Sequence, residues 1–236
     1  MDFQRYAIYY TAPAGPLADF GAAWLGWDVA SGQPVDHPPI RGLDEDISSL
    51  TKNPRKYGFH GTIKPPFRLA EGKTVEQLAS ATERLCRNLD ALTLEGLELT
   101  QIGRFLALTV IGETRPLAEL ASKVVRSLDA FRAPPTDAEL AKRRKANLSD
   151  RQDAYLMEWG YPYVMEEFRF HLTLTGRLQP NLAKTVHDIL EPALANVLPI
   201  PFQIADLTLA GEDQQGQFHE VRRFNLATQT ASAEKA

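Results

Sequence analysis

The sequence has little of several features that would place it in a specialised class of protein. It contains a single cysteine, Cys86, which excludes an internal disulfide framework. It has no run of about 18 consecutive apolar residues, the length that a membrane-spanning helix needs. Its first ten residues, MDFQRYAIYY, lack the basic region and apolar stretch of a secretory signal. We therefore expect a reduced, cytoplasmic protein without membrane contact.

Charge of either sign is also not in excess. With 26 Lys+Arg against 30 Asp+Glu, the formal net charge of -4 gives no general attraction to polyanions, so any contact with nucleic acid would be local. A chain with 44% hydrophobic and 24% charged residues is typical of a soluble globular protein and excludes fibrous or wholly disordered classes. Its 236 residues are enough for one or two domains with a large core.

Hydrophobic patterning predicts strands and helices in alternation. Three predicted helices begin at capping boxes, formed by Thr74 with Gln77, Thr136 with Glu139 and Ser149 with Gln152. The predicted strands are 5–11, 57–64, 92–101, 105–111, 168–175, 202–210 and 218–226. The predicted helices are 16–25, 74–89, 116–131 and 182–197, with two short helices inside 137–159. We expect Pro65 and Pro66 to end the second strand, and 29–54 to form a long surface loop.

A repeat relates the two halves of the chain. His60-Gly-Thr62 is followed 14 positions later by Thr74-Val75, and His171-Leu-Thr173 is followed 14 positions later by Thr185-Val186. The strands that follow match at an offset of 110. A shared Pro-Leu-Ala at 16 and 116 could by itself be chance, but three features in one order favour duplication.

The repeat predicts an α+β fold of two similar lobes, each an antiparallel sheet with helices outside, around a central cleft. We expect one catalytic domain over 1–236, with repeats at 5–104 and 105–226 and a frayed tail at 227–236. A single site between the lobes would then take one His-x-Thr motif from each.

Alternation along each motif strand predicts one polar and one apolar face. Gly58, His60, Thr62 and Lys64 share the polar face of the first strand. The polar face of the second strand carries Arg169, His171, Thr173 and Thr175. Such faces are costly to bury, so we expect them to line a wet cleft.

Two histidines on opposite sides of a substrate suit phosphodiester chemistry. Since the ordinary pKa of histidine is about 6.5, one imidazole can act as a neutral base while the other acts as an imidazolium acid. The hydroxyls of Thr62 and Thr173 would donate to non-bridging phosphate oxygens, and Lys64 or Arg169 would balance the developing charge. This arrangement requires no metal or other cofactor. The pattern leaves open which histidine is the acid.

The chain resembles the 2H phosphoesterases, in particular the branch associated with phosphonate metabolism. The resemblance covers about 5–226 and is carried by segments around and between the motifs: YGFHGTIKPPF (57–67), FLAL (105–108), FRAP (131–134), KRR (142–144), RQ (151–152) and WGYPYVMEEFRFHLTLTG (159–176). It implies a metal-independent phosphoesterase in which His60 and His171 are catalytic and Thr62 and Thr173 bind phosphate. Its substrate would be a cyclic or linear phosphodiester of a nucleotide or ribose phosphate.

Other residues are weaker candidates for substrate binding. The cluster Lys142–Lys145, with Arg143 at its centre, either contacts phosphate or forms an ordinary solvated helix face. Tyr57 and Tyr163 flank the motif strands and either stack on a base or pack in the core, and alternation favours packing for Tyr57.

Three functions stay open at this stage. The first is the metal-free phosphodiesterase, acting on a small-molecule phosphodiester or nucleotide and needing no protein partner. The second is a metal-dependent hydrolase with His60 and His171 as ligands, although the motif faces carry no carboxylate to complete the set. The third is a nucleotide- or RNA-binding module without turnover. Because the 2H family includes proteins first described as RNA ligases, RNA ends are a further class of partner.

Overall fold

The computed structural model describes residues 2–40 and 42–228 and contains eleven strands and seven helices within them. The strands are β1 (Arg5–Thr11), β2 (Trp27–Asp28), β3 (Gln33–Pro34), β4 (His60–Phe67), β5 (Leu92–Leu94), β6 (Gly96–Ile102), β7 (Phe105–Ile111), β8 (His171–Thr173), β9 (Phe202–Ile204), β10 (Asp206–Glu212) and β11 (Phe218–Asn225). The helices are α1 (Pro16–Leu25), α2 (Ile47–Leu50), α3 (Val75–Cys86), α4 (Arg115–Ser127), α5 (Asp137–Arg144), α6 (Asp150–Trp159) and α7 (Pro180–Leu194). Single 3-10 turns occur at Pro54–Tyr57, Asp129–Phe131 and Met165–Glu167.

Seven strands form one antiparallel sheet in the order β11-β10-β1-β4-β8-β7-β6. The α+β fold class with antiparallel strands is confirmed. The order strand, helix, motif strand, helix, short strand, long strand occurs twice along the chain. The two halves also pair with each other through long strands: β10 of the second half lies against β1, and β6 of the first half lies against β7. The division into two lobes with the predicted boundaries stays a prediction.

One face of the sheet carries the main core. Ile8, Leu209, Leu108 and Leu172 alternate inward from neighbouring strands and pack with the apolar faces of α1, α3, α4 and α7. In each of these helices the buried residues recur about every three or four positions, as in a helix that packs one face against a core. The other face carries only a small apolar cluster beneath the β2–β3 hairpin, together with the polar motif residues.

Two predicted strands differ in length from the observed ones. The first motif strand continues through Pro65 and Pro66 to Phe67. Prolines are tolerated there because β4 pairs with β8 only at Gly61 and shifts register against β1 beyond Thr62, so few ladder hydrogen bonds are lost. The second motif strand was predicted over eight residues but pairs only over His171–Thr173.

The capping boxes that begin α3, α5 and α6 are all present, with Thr74, Thr136 and Ser149 as the first residues. Ala227, the first residue of the predicted tail, is held by backbone hydrogen bonds to Leu89 and Ala91. The rest of the predicted tail from 229 onward lies outside the described residues.

Candidate active site

The two His-x-Thr motifs lie side by side at the centre of the sheet. Gly61 stands opposite Leu172 in the antiparallel pair of β4 and β8. This register places His60 beside Thr173 and Thr62 beside His171. All four side chains project from the same face, opposite to the main core, and all four are half-buried. The structure therefore brings together the four residues that we predict to be catalytic.

Both imidazoles are held in the same tautomer by backbone carbonyls. The Nδ1 atom of His60 lies 2.9 Å from the Gly58 oxygen, and Nδ1 of His171 lies 2.8 Å from the Arg169 oxygen. A carbonyl oxygen only accepts, so each Nδ1 carries the proton and each neutral ring has a lone pair on Nε2. The Nε2 atom of His60 lies 3.0 Å from the Thr62 hydroxyl, which donates to it.

The environment of His60 favours its neutral form. Burial is the largest cause, and it lowers the pKa of His60 from its ordinary value to about 4. The carbonyl of Gly58 acts in the opposite direction, whereas the nearby His171 adds to the lowering. The ring of Tyr9 covers His60, with 3.8 Å between ring centroids. His60 is therefore unprotonated near neutral pH.

Gly58 has a conformation that only glycine adopts without strain. Its φ is 70°, and a Cβ added there would lie 2.9 Å from the Cβ of Val29. This conformation directs the Gly58 carbonyl to the ring of His60. The glycine in the sequence Gly58-Phe59-His60 thus contributes to the orientation of the His60 imidazole.

A cavity of about 280 Å³ opens beside the motifs. Its walls include His60 and Thr173, the rings of Tyr57 and Phe105, and the polar groups of Asn53 and Arg177. The residues that line it include no carboxylate.

Tyr57 belongs to a 3-10 turn before the strand, so strand alternation does not apply to it. Tyr57 is 37% exposed and is therefore not a core residue, although its ring stacks on the buried Phe218 at 5.4 Å between centroids and lies 6.1 Å from that of His60.

Lys64 does not lie in this cavity. Its side chain is 2% exposed, and its Nζ atom donates to the Val125 carbonyl at 3.1 Å and pairs with Asp129 at 3.4 Å. The register shift between β1 and β4 beyond Thr62 takes Lys64 out of simple alternation with His60. The predicted position of Lys64 on the polar face beside the motifs is therefore corrected to a buried ion pair.

Arg169 and Tyr163 are both exposed at the surface near the second motif. The guanidinium of Arg169 donates to the carbonyls of Phe168 and Glu166, at 2.7 Å and 3.1 Å. The ring of Tyr163 packs edge-on against Tyr161 with 5.7 Å between centroids. Neither residue lines the cavity that contains His60.

The basic cluster at 142–145 does not act as one patch. Arg144 pairs with Asp153 of α6 at 2.6 Å, whereas the guanidinium of Arg143 lies 4.6 Å above the ring of Tyr161. Burial raises the pKa of Tyr161, and this effect is opposed by Arg143 and strengthened by Tyr163 and Tyr57. Arg143 therefore lies over the ring of Tyr161, and neither of these residues lines the His60 cavity.

Four residues at the site were missed by sequence reasoning. Asn53, Phe105 and Arg177 line the cavity, and Tyr9 covers His60. Arg177 follows the second motif by four residues, within the segment FRFHLTLTGR. Its closeness to the motif in the sequence is a signal that could have identified it as a site residue. Tyr9 carries no such signal, because in the sequence it is one of several aromatic residues in β1.

Two other kinds of feature are absent from the described residues. Within residues 2–40 and 42–228, no group of three or more His, Cys, Asp or Glu side chains is placed to hold a metal ion. Among the helices in that part of the chain, none is both long and apolar enough to cross a membrane.

Comparison with known proteins identifies related sequences and folds. A family model described as "Protein of unknown function (DUF1045)" matches residues 62–219. A ribose 1,5-bisphosphate phosphokinase PhnN of Janthinobacterium sp. (strain Marseille) is 41% identical over 232 residues, which is 95% of this chain and 51% of the relative. A protein of the same name from Laribacter hongkongensis (strain HLHK9) is 35% identical over 175 residues, covering 74% of this chain and 40% of the relative. The chain thus spans about half the length of the relatives it matches.

Solved structures with some similarity include E. coli LigT complexed with 3'-AMP, at 15% identity and a TM-score of 0.45 over 96% of this chain and 99% of that one. A structure described as a phosphoesterase has 16% identity and a TM-score of 0.43, covering 95% of this chain and 99% of the other.

Proposed function

The chain belongs to the DUF1045 family, and we propose that it is a metal-independent phosphoesterase. It would hydrolyse a phosphodiester by two-histidine acid/base catalysis. The observation that carries this proposal is the pairing of the two motif strands. It places two imidazoles of the same tautomer, each with Nε2 directed away from its backbone anchor, beside two threonine hydroxyls. The substrate is a cyclic or linear phosphodiester of a nucleotide or ribose phosphate.

The proposed reaction assigns one proton transfer to each histidine. His60 is neutral because its pKa is lowered to about 4, so its Nε2 takes the proton from the attacking water. The water oxygen forms a bond to phosphorus while the bond from phosphorus to the leaving oxygen breaks. His171 acts as an imidazolium, which also carries a proton on Nε2, and it gives that proton to the leaving oxygen and returns to the neutral form. The net change is addition of one water to give a phosphomonoester and a free hydroxyl.

The hydroxyls of Thr62 and Thr173 complete the proposed site. Each stands beside the histidine of the other strand, so a phosphate between the two rings would meet a donor from both sides. The Thr62 hydroxyl donates to His60 in the unliganded protein and would turn to a non-bridging oxygen when substrate binds. Arg143 and Tyr163 are kept as proposed contacts with the outer part of the substrate, as is Arg169.

The names of the relatives support a sugar phosphate as the substrate. Opening a cyclic phosphodiester on a phosphorylated ribose leaves a second phosphomonoester, and the product is a ribose bisphosphate. Ribose 1,5-bisphosphate is the compound on which both relatives act by name. A place in phosphonate metabolism, implied by the resemblance of the motif segments, is part of this proposal.

The test is release of phosphomonoester from a panel of ribose-based and nucleotide cyclic phosphodiesters in the presence of EDTA. We expect turnover by the natural protein and a loss of about 10²–10⁴-fold in His60→Ala and in His171→Ala. His187→Ala is the matched control, since this histidine lies on α7 away from the motif strands. Turnover that EDTA abolishes would replace the proposal with a metal-dependent hydrolase.

Two further outcomes separate the remaining alternatives. Tight binding of nucleotides or RNA ends with no product from any ester would favour a binding module. Joining of RNA ends would favour a ligase-like activity. A bell-shaped dependence of kcat/KM on pH is expected for the proposed pair, and a flat profile between pH 5 and 8 counts against it.

A further inference from the structure

Arg177 is a cation at the cavity wall that the reaction described above does not use. It lies four residues after Thr173 and lines the same cavity as His60. Within residues 2–40 and 42–228, its guanidinium forms no ion pair with a carboxylate, although ten other arginine or lysine residues there do. A cation without a counter-charge beside a reactive centre is available to a ligand.

The backbone on both sides of Arg177 is fixed by hydrogen bonds. The amide of Gly176 donates to the Leu50 carbonyl at 2.7 Å, and the amide of Leu178 donates to the Arg104 carbonyl at 2.6 Å. Thr175 is 1% exposed, and its hydroxyl accepts from the Leu106 amide at 3.0 Å. Arg177 therefore projects from a preorganised segment, and less ordering is needed when it binds a ligand.

The charge at this end of the cavity favours an anion. The lining contains Arg177 and no carboxylate, and the Nε atom of Arg104 lies 3.4 Å from the Leu178 carbonyl, so a second guanidinium is close to the same segment. A planar guanidinium binds phosphate with two parallel hydrogen bonds. The chemistry of this end therefore fits a phosphate group better than a neutral or cationic one.

The space between His60 and Arg177 fits a small substrate. The cavity volume of about 280 Å³ is just below the usual range for small-molecule sites, which starts at about 300 Å³. Tyr57 and Phe105 bound it, and their rings lie 6.1 Å from that of His60 and 5.8 Å from that of His171, respectively. A sugar or nucleoside between these rings would extend from the reacting phosphodiester toward Arg177.

We propose that Arg177 binds a second, terminal phosphate of the substrate, so that the protein selects phosphodiesters that carry an additional phosphomonoester. The proposal rests on the proposed function for the identity of the reacting group. The second phosphate is not consumed and makes no covalent change. Arg177 is thus a specificity-determining residue, and its effect is on the choice between substrates.

The experiment compares adenosine 2',3'-cyclic phosphate with the same compound carrying a 5'-phosphate. We expect the natural protein to hydrolyse the 5'-phosphorylated compound with at least about tenfold higher kcat/KM, mainly through a lower KM. In Arg177→Gln this ratio should fall to near one, and in Arg177→Lys it should be partly recovered, since an ammonium supplies charge without the paired hydrogen bonds. Arg115→Gln removes a charge from an exposed arginine on α4 that does not line the cavity, and it should keep the natural ratio.

The outcomes separate this proposal from the proposed function. Hydrolysis of both compounds at equal rates, or an equal loss on both in Arg177→Gln, overturns the role of Arg177 while leaving the phosphoesterase intact. If neither compound is hydrolysed, binding of adenosine 3'-phosphate and adenosine 3',5'-bisphosphate is measured by calorimetry. A tenfold preference for the bisphosphate that Arg177→Gln removes then supports the phosphate site, and equal affinities overturn it.

Discussion

The ring of Phe170 occupies the space that a side chain on Gly61 would fill. Gly61 follows His60 in β4, and Phe170 precedes His171 in β8. The contact lies on the core face, where Phe170 is 8% exposed, directly behind the two histidines. The absence of a side chain at residue 61 therefore lets the two motif strands approach each other at their single described pair.

Gly61→Ala should destabilise the protein and impair the proposed hydrolysis. The added methyl group overlaps the Phe170 ring, and overpacking of this kind costs about 1–3 kcal/mol in the free energy of unfolding. Because Phe170 directly precedes His171 in the chain, displacement of Phe170 should also move the imidazole of His171. Urea unfolding and kcat measure the two effects.

The matched control is the double variant Gly61→Ala with Phe170→Leu. The smaller leucine leaves room for the methyl group, so we expect a coupling free energy of about 0.5–3 kcal/mol between the two substitutions. Additive effects of the two single variants would contradict the contact.

Tyr9→Phe should stabilise the unliganded protein by about 1 kcal/mol. The hydroxyl of Tyr9 is buried and has no hydrogen-bond partner among the described residues, and an unsatisfied buried hydroxyl costs about 1–3 kcal/mol. The phenyl ring would keep the contact with His60. Thermal unfolding checks the sign, and Tyr9→Leu, which also removes the ring, should lower Tm. A lower Tm in Tyr9→Phe would show that the hydroxyl has a partner.

The buried position of His60 predicts a pH dependence of stability. Its pKa is lowered to about 4 in the folded protein, so as pH falls from about 6.5 the unfolded chain binds the proton first. The contribution of His60 is fully present above about pH 6.5 and is lost as pH falls toward 4. We expect a loss of about 2–3 kcal/mol in the natural protein relative to His60→Gln over this range.

Urea midpoints at pH 7.5 and 4.5 give this difference. His187→Gln, a change at a more exposed histidine on α7, controls for the general effect of acid. Parallel pH curves for the natural protein and His60→Gln would mean that His60 titrates normally.

Lys64 predicts the corresponding behaviour at alkaline pH. Burial is the main cause that lowers its pKa to about 8, and Asp129 opposes this. The contribution of Lys64 to the free energy of unfolding is therefore fully present above about pH 10.5, where the amine is neutral. It is lost as pH falls to 8, because the unfolded chain binds the proton first. The free energy of unfolding of Lys64→Met, taken relative to that of the natural protein, should therefore decrease by about 3 kcal/mol between pH 7.5 and 10.5.

Asp129 keeps a partner in this variant, because Arg132 donates to both of its carboxylate oxygens at 2.8 Å and 3.0 Å. The substitution therefore leaves no unpaired carboxylate. Lys184→Met, at an exposed lysine paired with Asp188, is the control and should show no such trend. A constant difference between Lys64→Met and the natural protein at all pH values would mean that Lys64 is not desolvated.

Local signals were sufficient for most elements of the fold. The capping boxes at Thr74, Thr136 and Ser149 each begin a helix as predicted, because a side-chain acceptor for backbone N–H groups acts over three residues. Thr185 shows the limit of the repeat argument. It matches Thr74 in spacing but lies inside α7, which begins at Pro180.

Features that depend on distant strands could not be read from local patterns. The length of β8 is set by how far it can pair with β4 and β7, and the position of Lys64 is set by a register shift against β1. The same reason explains Arg177 and Tyr9. The first depends on Leu50 and Arg104 to fix its segment, and the second depends on the register of β1 with β4.

The pairing of β1 with β10 has a consequence for synthesis on the ribosome. β1 ends at Thr11, but one of its two partners, β10, ends only at Glu212. At about 5–20 residues per second, roughly 10–40 s separate the appearance of the two strands. During that interval the aromatic segment RYAIYYT is an open edge, even after β4 has paired with its other side. This edge of the nascent chain is therefore exposed to aggregation until β10 has been made, and chaperone contact during that time should protect β1.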